Sequence, residues 1–253
     1  MDKRIGAQFY TIRDYCQTKE DFEESCKRVS DIGYKTVQLS GIGKFDADFV
    51  KNVLEKNNLE AICTHRPADE YENDIDALIQ WHKKVGCRIA GLGSMPGLKY
   101  ELEAVNAFTK KFNKIVETLK ENGLTFVYHN HQTEFNRVGS TRVFDIIAEN
   151  TDPDSFKFIL DVYWLSYAGI NPADFIREHK GRIECVHFKD MGIIGLDINM
   201  FEIGRGNLNW DDIIDACETS GVKYAFVEQD VCRRNPFESL KISYDYLKEK
   251  GFC

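Results

Sequence analysis

The chain has no surplus of basic residues, and this absence argues against one class of ligand. Its 253 residues include 33 Lys and Arg against 41 Asp and Glu, which gives a formal net charge of −8. A surface that binds nucleic acid needs a basic patch to offset the phosphate charge. We therefore expect no nucleic-acid partner, although a few local Arg or Lys side chains could still hold a small anionic substrate.

Long apolar runs and paired cysteines are missing as well. The first residues, Met1-Asp2-Lys3-Arg4, lack the apolar segment of a signal peptide. No stretch approaches the roughly 18 apolar residues of a membrane span. The eight cysteines form no CxxC pair, so free thiols are expected and thiolate-bound structural zinc is not. These absences favour a cytoplasmic protein without a membrane partner.

Strand-like and helix-like segments alternate along the whole chain. Short apolar runs predict strands at Arg4–Ile12, Lys35–Gly41, Leu59–Arg66, Arg88–Gly93, Thr125–His129, Lys157–Asp161, Ile183–Phe188 and Tyr224–Glu228. Amphipathic runs, with cap residues at their ends, predict helices at Thr18–Gly33, Asp46–Asn57, Tyr71–Val85, Glu101–Asn122, Thr141–Asn150, Pro172–His179, Trp210–Ser220 and Pro236–Lys250.

Eight strand–helix pairs favour an α/β fold, a (β/α)8 TIM barrel formed by residues 1–253 as a single domain. The strict alternation implies a parallel sheet, and 43% hydrophobic residues are enough for a sizeable core. A doubly wound open sheet is the alternative. It would usually carry a glycine-rich phosphate turn after the first strand, where this chain reads Phe9-Tyr10-Thr11-Ile12-Arg13.

Charged side chains gather where the last strands end, and barrels of this kind carry their chemistry at those ends. Asp161, His187 and Glu228 end the last three strands, and Glu134 follows the fifth. Three carboxylates and an imidazole form an oxygen-rich set that suits Mn²⁺, Mg²⁺ or Co²⁺. The alternative is that these residues form salt bridges at the barrel rim with Lys189, Arg66 and Arg205.

Two neighbouring histidines and one lysine leave further choices open. His129 and His131 could bind the metal or could simply cap backbone groups at the end of the fifth strand. Lys189 could form a Schiff base, but its place two residues after His187 favours a contact with substrate or with the metal ligands.

The loop after the seventh strand places an arginine between two glycines. Gly204 and Gly206 would let the backbone approach a ligand closely. Arg205 between them could donate to substrate hydroxyls or a carboxylate. The alternative is an ordinary loop in which Asn209 caps the next helix.

These strand ends resemble one known family, the sugar phosphate isomerases/epimerases with a xylose isomerase-like TIM barrel. The segments that carry the resemblance are Tyr128-His129-Asn130-His131, Leu160-Asp161-Val162-Tyr163-Trp164, Val186-His187-Phe188-Lys189-Asp190, Ile203-Gly204-Arg205-Gly206-Asn207-Leu208-Asn209-Trp210 and Val227-Glu228-Gln229-Asp230. In that family Glu, Asp, His and Glu from strands five to eight typically bind a divalent metal, often Mn²⁺.

Carried over, the resemblance implies a metal bound by Glu134, Asp161, His187 and Glu228, with Mn²⁺ as the first expectation and Mg²⁺, Co²⁺ or Zn²⁺ as alternatives. The first ligand departs from the ketose epimerase pattern, because Glu134 follows the strand instead of lying within it. That departure favours the branch of inosose dehydratases and 3-keto-sugar enzymes. It also leaves His131 open as a ligand or a base.

The function that the resemblance implies is an isomerase, epimerase or related lyase that acts on a keto-sugar or keto-polyol through metal-stabilised enediolate chemistry. Glu134, Glu228 and His131 are the expected catalytic residues. The expected substrate-binding residues are His65, Arg66, Trp164, Lys189 and Arg205.

Several alternatives remain beside this reading. One is an inosose dehydratase or 3-keto-glycoside lyase that cleaves a C–O or C–C bond, and another is a non-catalytic sugar-binding relative. A DNA-repair endonuclease of the same barrel class is not expected, given six histidines and a net charge of −8. Members of this fold class often pair, so a homo-oligomer is possible.

Overall fold

The computed structural model describes residues 1–97 and 101–253, and its centre is a closed barrel of eight parallel strands. In chain order, the barrel strands are Gly6–Gln8, Thr36–Leu39, Glu60–Arg66, Ile89–Leu92, Thr125–His129, Phe156–Asp161, Ile183–Phe188 and Tyr224–Val227. Each strand pairs with the strands before and after it, and the first closes on the eighth with Gly6 opposite Phe226. The predicted (β/α)8 barrel is confirmed.

Helices follow the barrel strands and form the outer layer. They are α1 (Lys19–Ile32), α2 (Ala47–Lys56), α3 (Ala68–Asn73), α4 (Ile75–Val85), α5 (Leu102–Glu121), α6 (Val143–Glu149), α7 (Val162–Tyr167), α8 (Pro172–Glu178), α9 (Trp210–Ser220) and α10 (Pro236–Glu249). Capping residues set several of their ends. Thr18, for example, accepts a hydrogen bond from the backbone N–H of Asp21 at 3.1 Å at the start of α1.

The barrel interior and its outer face form two separate apolar clusters, because successive strand residues point to opposite faces. The inner cluster is small and consists of Ile62, Cys63, Ile89, Val127, Ile159, Cys185 and Phe226. The larger cluster fills the space between the strands and the helices and includes Phe126, Tyr128, Phe158 and Leu160. The inner cluster therefore closes the bottom of the barrel, below the C-terminal ends of the strands.

Two predicted elements are wrong in their extent. The first strand ends at Gln8, not Ile12, because the chain turns into a 3-10 helix over Phe9–Tyr15. The side chain of Gln8 accepts a hydrogen bond from the backbone N–H of Tyr10 at 3.1 Å and so caps that turn. The helix predicted over Tyr71–Val85 is divided into α3 and α4 at Asp74, whose φ of −146° is not helical.

The segment after the seventh strand holds an element that the sequence did not reveal. Residues Asp190–Ile194 and Asp197–Phe201 pair as an antiparallel hairpin outside the barrel. Its tip exposes aliphatic side chains, and Leu196 there is fully exposed. The chain that was expected to be one long loop thus leaves the barrel mouth as a hairpin before it returns to α9.

Candidate active site

Four buried side chains converge at the C-terminal ends of the last four barrel strands. His129, Asp161, His187 and Glu228 each place one nitrogen or oxygen atom so that all four atoms lie within 4.8 Å of one another. All four residues are at most 5% exposed. Their spacing and burial are those of a site that can enclose a single small cation.

Strand alternation explains why these four side chains meet. Each lies two residues after a member of the inner apolar cluster and so points to the same, inner face of the barrel. The pairs are Val127 with His129, Ile159 with Asp161, Cys185 with His187, and Phe226 with Glu228. The parallel register then brings the neighbouring positions together, with Asp161 opposite His187.

The carboxylate of Asp161 is fixed by one oxygen and leaves the other available. Its Oδ1 caps the start of α7 by accepting hydrogen bonds from the backbone N–H groups of Tyr163 at 2.9 Å and Trp164 at 3.2 Å. Its backbone N–H donates to Oδ1 of Asn130 at 2.9 Å. The other oxygen, Oδ2, is buried, accepts no hydrogen bond and faces the cluster.

Both histidines of the cluster have one ring nitrogen bound to an obligate acceptor. Nδ1 of His129 donates to the backbone carbonyl of Gly93 at 3.1 Å, and Nε2 of His187 donates to Oε1 of Gln38 at 2.7 Å. Because carbonyl oxygens only accept, the proton of each neutral ring sits on the nitrogen that faces away from the cluster. The nitrogens that face the cluster, Nε2 of His129 and Nδ1 of His187, then offer lone pairs.

This arrangement fits a divalent metal ion. Three of the four converging atoms, Asp161 Oδ2, His129 Nε2 and His187 Nδ1, are buried without a hydrogen-bond partner among the described residues. Nδ1 of His187 and Oε2 of Glu228 are only 3.0 Å apart. Neighbouring lone pairs repel unless a proton or cation lies between them, and buried polar atoms are rarely left unpaired.

A buried lysine stands beside the cluster. Nζ of Lys189 lies 2.8 Å from both carboxylate oxygens of Asp230, 3.3 Å from Oδ2 of Asp161 and 3.4 Å from Oε2 of Glu228. Three carboxylates thus face one ammonium group, which leaves two negative charges unbalanced while the imidazoles are neutral. A divalent cation would balance that charge.

The cluster perturbs the proton affinities of its members. Burial alone would lower the pKa of His187, but the carboxylates of Glu228 and Asp161 raise that pKa to about 9. Without a cation the ring therefore takes a second proton, on Nδ1 facing Glu228, and a metal bound there would replace that proton. Burial would likewise lower the pKa of Lys189, and Asp161, Glu228 and Asp230 outweigh it and raise that pKa. Lys189 is therefore an ammonium group at neutral pH, which argues against a Schiff-base role.

A cavity of about 530 Å³ opens above the cluster. Among the predicted catalytic and substrate-binding residues, those that line it are His65, Arg66, His131, Lys189 and Glu228. Burial, followed by the neighbouring His129 ring, lowers the pKa of His131 to about 3, so its ring is neutral. The volume of the cavity lies in the range of about 300 to 1,000 Å³ that is usual for ligand pockets.

Comparison of the sequence with models of known protein families gives a match over most of the chain. The sequence model of the xylose isomerase-like TIM barrel family matches residues 26–250 of the chain. The chain belongs to this family. It is an enzyme of the sugar isomerase/epimerase type, a group in which lyase chemistry also occurs.

Named relatives of this xylose isomerase-like enzyme agree with that placement. The inosose dehydratase of Clostridium tetani is 24% identical over 269 residues, which cover 91% of this chain and 90% of the relative. A sugar phosphate isomerase/epimerase from Parabacteroides distasonis superposes with a TM-score of 0.80 at 25% identity, covering 97% of both chains. The IolI protein, whose crystal structure contains a zinc atom, shares the fold alone, with a TM-score of 0.77 at 12% identity and coverage of 98% and 99%.

Glu134 does not join the cluster. Its Oε1 accepts a hydrogen bond from the Tyr128 hydroxyl at 2.7 Å, and its Oε2 accepts from the backbone N–H of His131 at 2.8 Å and from the Thr133 hydroxyl at 3.0 Å. Glu134 lies in a 3-10 turn after the fifth strand, where both of its oxygens are used to hold that turn. His129, within the strand, supplies the fourth converging atom instead.

Two other predicted substrate contacts lie outside the cavity. Arg205 is exposed and is not part of the cavity wall. Trp164 does not line the cavity either, and Nζ of Lys189, which does, is 5.0 Å from the centre of the indole ring. Neither side chain therefore contacts the space above the cluster in this conformation.

The two glycines beside Arg205 donate backbone hydrogen bonds to a buried aspartate. The carboxylate of Asp190 accepts hydrogen bonds from the backbone N–H groups of Gly204 at 2.8 Å and Gly206 at 3.1 Å and from the Trp210 indole at 2.8 Å. A Cβ atom at residue 206 would lie 2.3 Å from Oδ1 of Asp190. The glycines thus let the loop approach a side chain of the protein itself. The helix cap by Asn209 is also present, since its side chain accepts from Asp212 N–H at 3.3 Å.

Sequence reasoning gave no specific role to two residues that complete the site. Gln38 lies within the predicted second strand, Lys35–Gly41, without an assigned role, although its amide fixes the ring of His187. Asp230 belongs to the segment Val227-Glu228-Gln229-Asp230 that carries the resemblance, again without an assigned role, although it holds Lys189. A signal for Gln38 did exist, because it lies on the inner face of the second strand, one residue after Val37 of the outer cluster.

Proposed function

We propose that this chain binds one divalent metal ion through His129, Asp161, His187 and Glu228 and acts on a keto-sugar or keto-polyol as an isomerase, epimerase or related lyase. The observation that carries the proposal is the set of four buried donor atoms within 4.8 Å, three of which have no hydrogen-bond partner among the described residues. Carboxylate oxygens with imidazole nitrogens favour Mn²⁺, with Mg²⁺, Co²⁺ and Zn²⁺ as competitors.

The side chains of the site divide into ligands and groups that act on substrate. A divalent ion held by the four ligands would supply Lewis-acid polarisation of a substrate carbonyl. Lys189 lines the cavity as a charged donor, and its ammonium can hydrogen-bond a substrate oxygen. Glu228 and His131 also line the cavity and are the groups placed to take a proton from the carbon beside that carbonyl.

Glu134 has a supporting part in this proposal. It is 1% exposed and does not line the cavity, so no substrate atom is within its reach. Its carboxylate holds the backbone N–H of His131, and the turn that it stabilises sets where the His131 ring stands. We therefore propose Glu134 as a positioning residue and not as a ligand or base.

Dehydration is the second candidate outcome. Removal of a proton beside a carbonyl can be followed by its return, which gives an epimer or isomer, or by loss of a hydroxyl from the next carbon. Relatives at 23% and 24% identity that align over about 90% of their length are named inosose dehydratases. That observation favours water loss from a cyclic keto-polyol over a plain epimerisation.

The test is proton exchange in heavy water. The purified chain, with Mn²⁺ added, is incubated with 2-keto-myo-inositol and with a panel of ketohexoses, and NMR follows deuterium entry beside the carbonyl and the appearance of an unsaturated product. Wild type should exchange at least one of these compounds. The isosteric Asp161→Asn variant should not, while the matched surface variant Asp245→Asn should behave as wild type.

The outcomes separate the candidate reactions. Exchange with an unsaturated product supports dehydration, and exchange with a stereoisomer supports epimerisation or isomerisation. Exchange that persists in Asp161→Asn would contradict the proposed site. Absence of exchange with every compound, in a chain that binds Mn²⁺, would favour the non-catalytic sugar-binding alternative.

A further inference from the structure

A second cavity, of about 590 Å³, opens on the same end of the barrel beside the cavity above the cluster. It lies between the loop that follows the second barrel strand and the helices α3 and α4 that follow the third. Ser40, His65, Arg66 and Pro67 line both cavities. The two spaces are therefore neighbours that meet along a shared wall, and we call them the inner and outer cavities.

Each cavity alone has the size of a ligand site. Pockets that enclose small molecules usually measure about 300 to 1,000 Å³. A compound with one sugar ring placed over His129, Asp161, His187 and Glu228 would lie in the inner cavity and leave the outer one without an occupant. A longer substrate, whose reacting ring lies in the inner cavity, would extend into the outer one past Arg66.

The wall of the outer cavity combines aromatic surface with fixed polar groups. Phe45 and Trp81 line it, and the indole N–H of Trp81 donates to the backbone carbonyl of Phe45 at 3.2 Å, which ties the loop to α4. The side chain of Gln17 also donates to the carbonyl of Gly41 at 2.7 Å in the same loop. These two bonds hold the wall in place, and the Ser40 hydroxyl and the carboxylates of Asp69 and Asp74 in the same lining can bind hydroxyl groups. Aromatic rings beside such groups form a wall suited to a sugar ring.

The charges at this wall argue against an anionic ligand. Arg66 is already paired with Glu70, since its Nε lies 2.7 Å and its Nη2 2.6 Å from one carboxylate oxygen of Glu70. Asp69 and Asp74 add two further carboxylates to the described lining, against one more cation, Lys44. A phosphate or carboxylate would meet net negative charge here, whereas neutral hydroxyl groups would find donors and acceptors.

We propose that the outer cavity binds the second, uncharged ring of a glycoside whose first ring lies over the metal ligands, so that the substrate class is a two-ring keto-glycoside and not a single free ring or a sugar phosphate. This inference rests on the proposed function and narrows it. Among the reactions considered above, it favours chemistry on a glycoside over chemistry on a free inosose.

The test is equilibrium binding, measured by calorimetry on the full chain with Mn²⁺ present. One set of probes has a single ring: myo-inositol, glucose, galactose and fructose. The other set has two rings: cellobiose, maltose, lactose and sucrose. Ala77→Trp adds bulk at an exposed position of α4 that lines the outer cavity, and Ala107→Trp adds the same bulk at an exposed position of α5 as the matched control.

At least one two-ring probe should bind about ten-fold or more tightly than every single-ring probe, since the second ring adds contacts without new ordering of the protein. Ala77→Trp should remove that advantage and leave single-ring binding unchanged, and Ala107→Trp should change neither. Equal binding of both sets, or an advantage that survives in Ala77→Trp, would overturn the inference while leaving the proposed function intact. Failure of both sets to bind a folded, metal-loaded chain would count against the sugar substrate itself.

Discussion

The hydrogen bond between Gln38 and His187 offers a direct test of how the metal site is prepared. Gln38 is fully buried, and its Oε1 accepts from Nε2 of His187 at 2.7 Å. Replacing it with leucine keeps a similar volume but removes the acceptor. The ring of His187 would then lose the partner that fixes its proton on Nε2 and its lone pair on Nδ1.

The expected magnitude follows from the role of such partners. Removing the group that orients a metal-binding histidine typically costs about 10- to 100-fold in metal affinity, or about 1.4 to 2.8 kcal/mol. Calorimetric titration of Mn²⁺ into the metal-free Gln38→Leu chain should show a dissociation constant raised by that factor. Gln38→Glu is the matched control, because its carboxylate still accepts from Nε2, and it should bind Mn²⁺ at least as tightly as wild type.

Two results would refute this reasoning. Gln38→Leu could bind Mn²⁺ as tightly as wild type, which would mean that the ring of His187 needs no partner to present Nδ1. Alternatively, both variants could lose affinity equally, which would point to packing around residue 38 instead of the acceptor. Circular dichroism of each variant separates these results from loss of the fold.

Three further predictions concern other buried groups. Lys189→Met should tighten Mn²⁺ binding, because it removes a positive charge 3.3 Å from Oδ2 of Asp161, and weaker binding in calorimetry would show that the ammonium supports the site. Glu134→Ala should lower the unfolding free energy in urea by about 1 to 3 kcal/mol and keep the metal stoichiometry; loss of the metal would return Glu134 to the ligand set. Burial lowers the pKa of His82 from 6.5 to about 4. As the pH falls, His82 therefore takes up a proton in the unfolded chain before it does so in the folded chain. The contribution of neutral His82 to the unfolding free energy is complete above pH 6.5 and is lost as the pH falls toward 4. Between pH 7 and pH 5 the unfolding free energy should fall by about 2 kcal/mol for this reason. Urea titrations of the His82→Gln variant at the two pH values should not show this fall. An equal fall in the variant would exclude His82 as its source.

The hydrophobic periodicity of the sequence predicts most of the strands and helices of the fold. The strands at Thr125–His129 and Ile183–Phe188 and the helix at Trp210–Ser220 match the structure residue for residue. Each combines an apolar run with a clear end signal, so the local pattern and the tertiary packing agree. The end of the first strand was predicted wrongly, because Phe9 and Ile12 are buried in the 3-10 helix and give the same apolar pattern as a strand.

The site was predictable wherever a strand's own alternation determined it. Asp161 and His187 end strands on the inner face, and Glu228 follows the eighth strand on the same face, so the sequence brought these three together. The fourth position was assigned to Glu134, from its place after the fifth strand and from the resemblance, whereas alternation from Val127 points to His129. A carboxylate in a turn can bind backbone N–H groups instead of a metal, and only the coordinates show which partner it has.

Contacts between distant segments were the part that no local pattern could supply. The ion pair of Lys189 with Asp230, the hydrogen bond of His187 to Gln38 and the hairpin that begins at Asp190 all join residues whose pairing depends on the closed barrel. The sequence placed each of these residues near a strand end. Which of these residues contact one another depends on the three-dimensional structure and cannot be read from the local sequence.

The central claim is that four side chains at the barrel mouth bind one divalent metal, and metal content per chain tests it most directly. Wild type, His187→Ala and His129→Ala would be purified alike, soaked with Mn²⁺, passed through a desalting column and measured by elemental analysis. The account predicts about one ion per wild-type chain and its loss in both variants. No ion in wild type, or the same content in all three folded proteins, would contradict it.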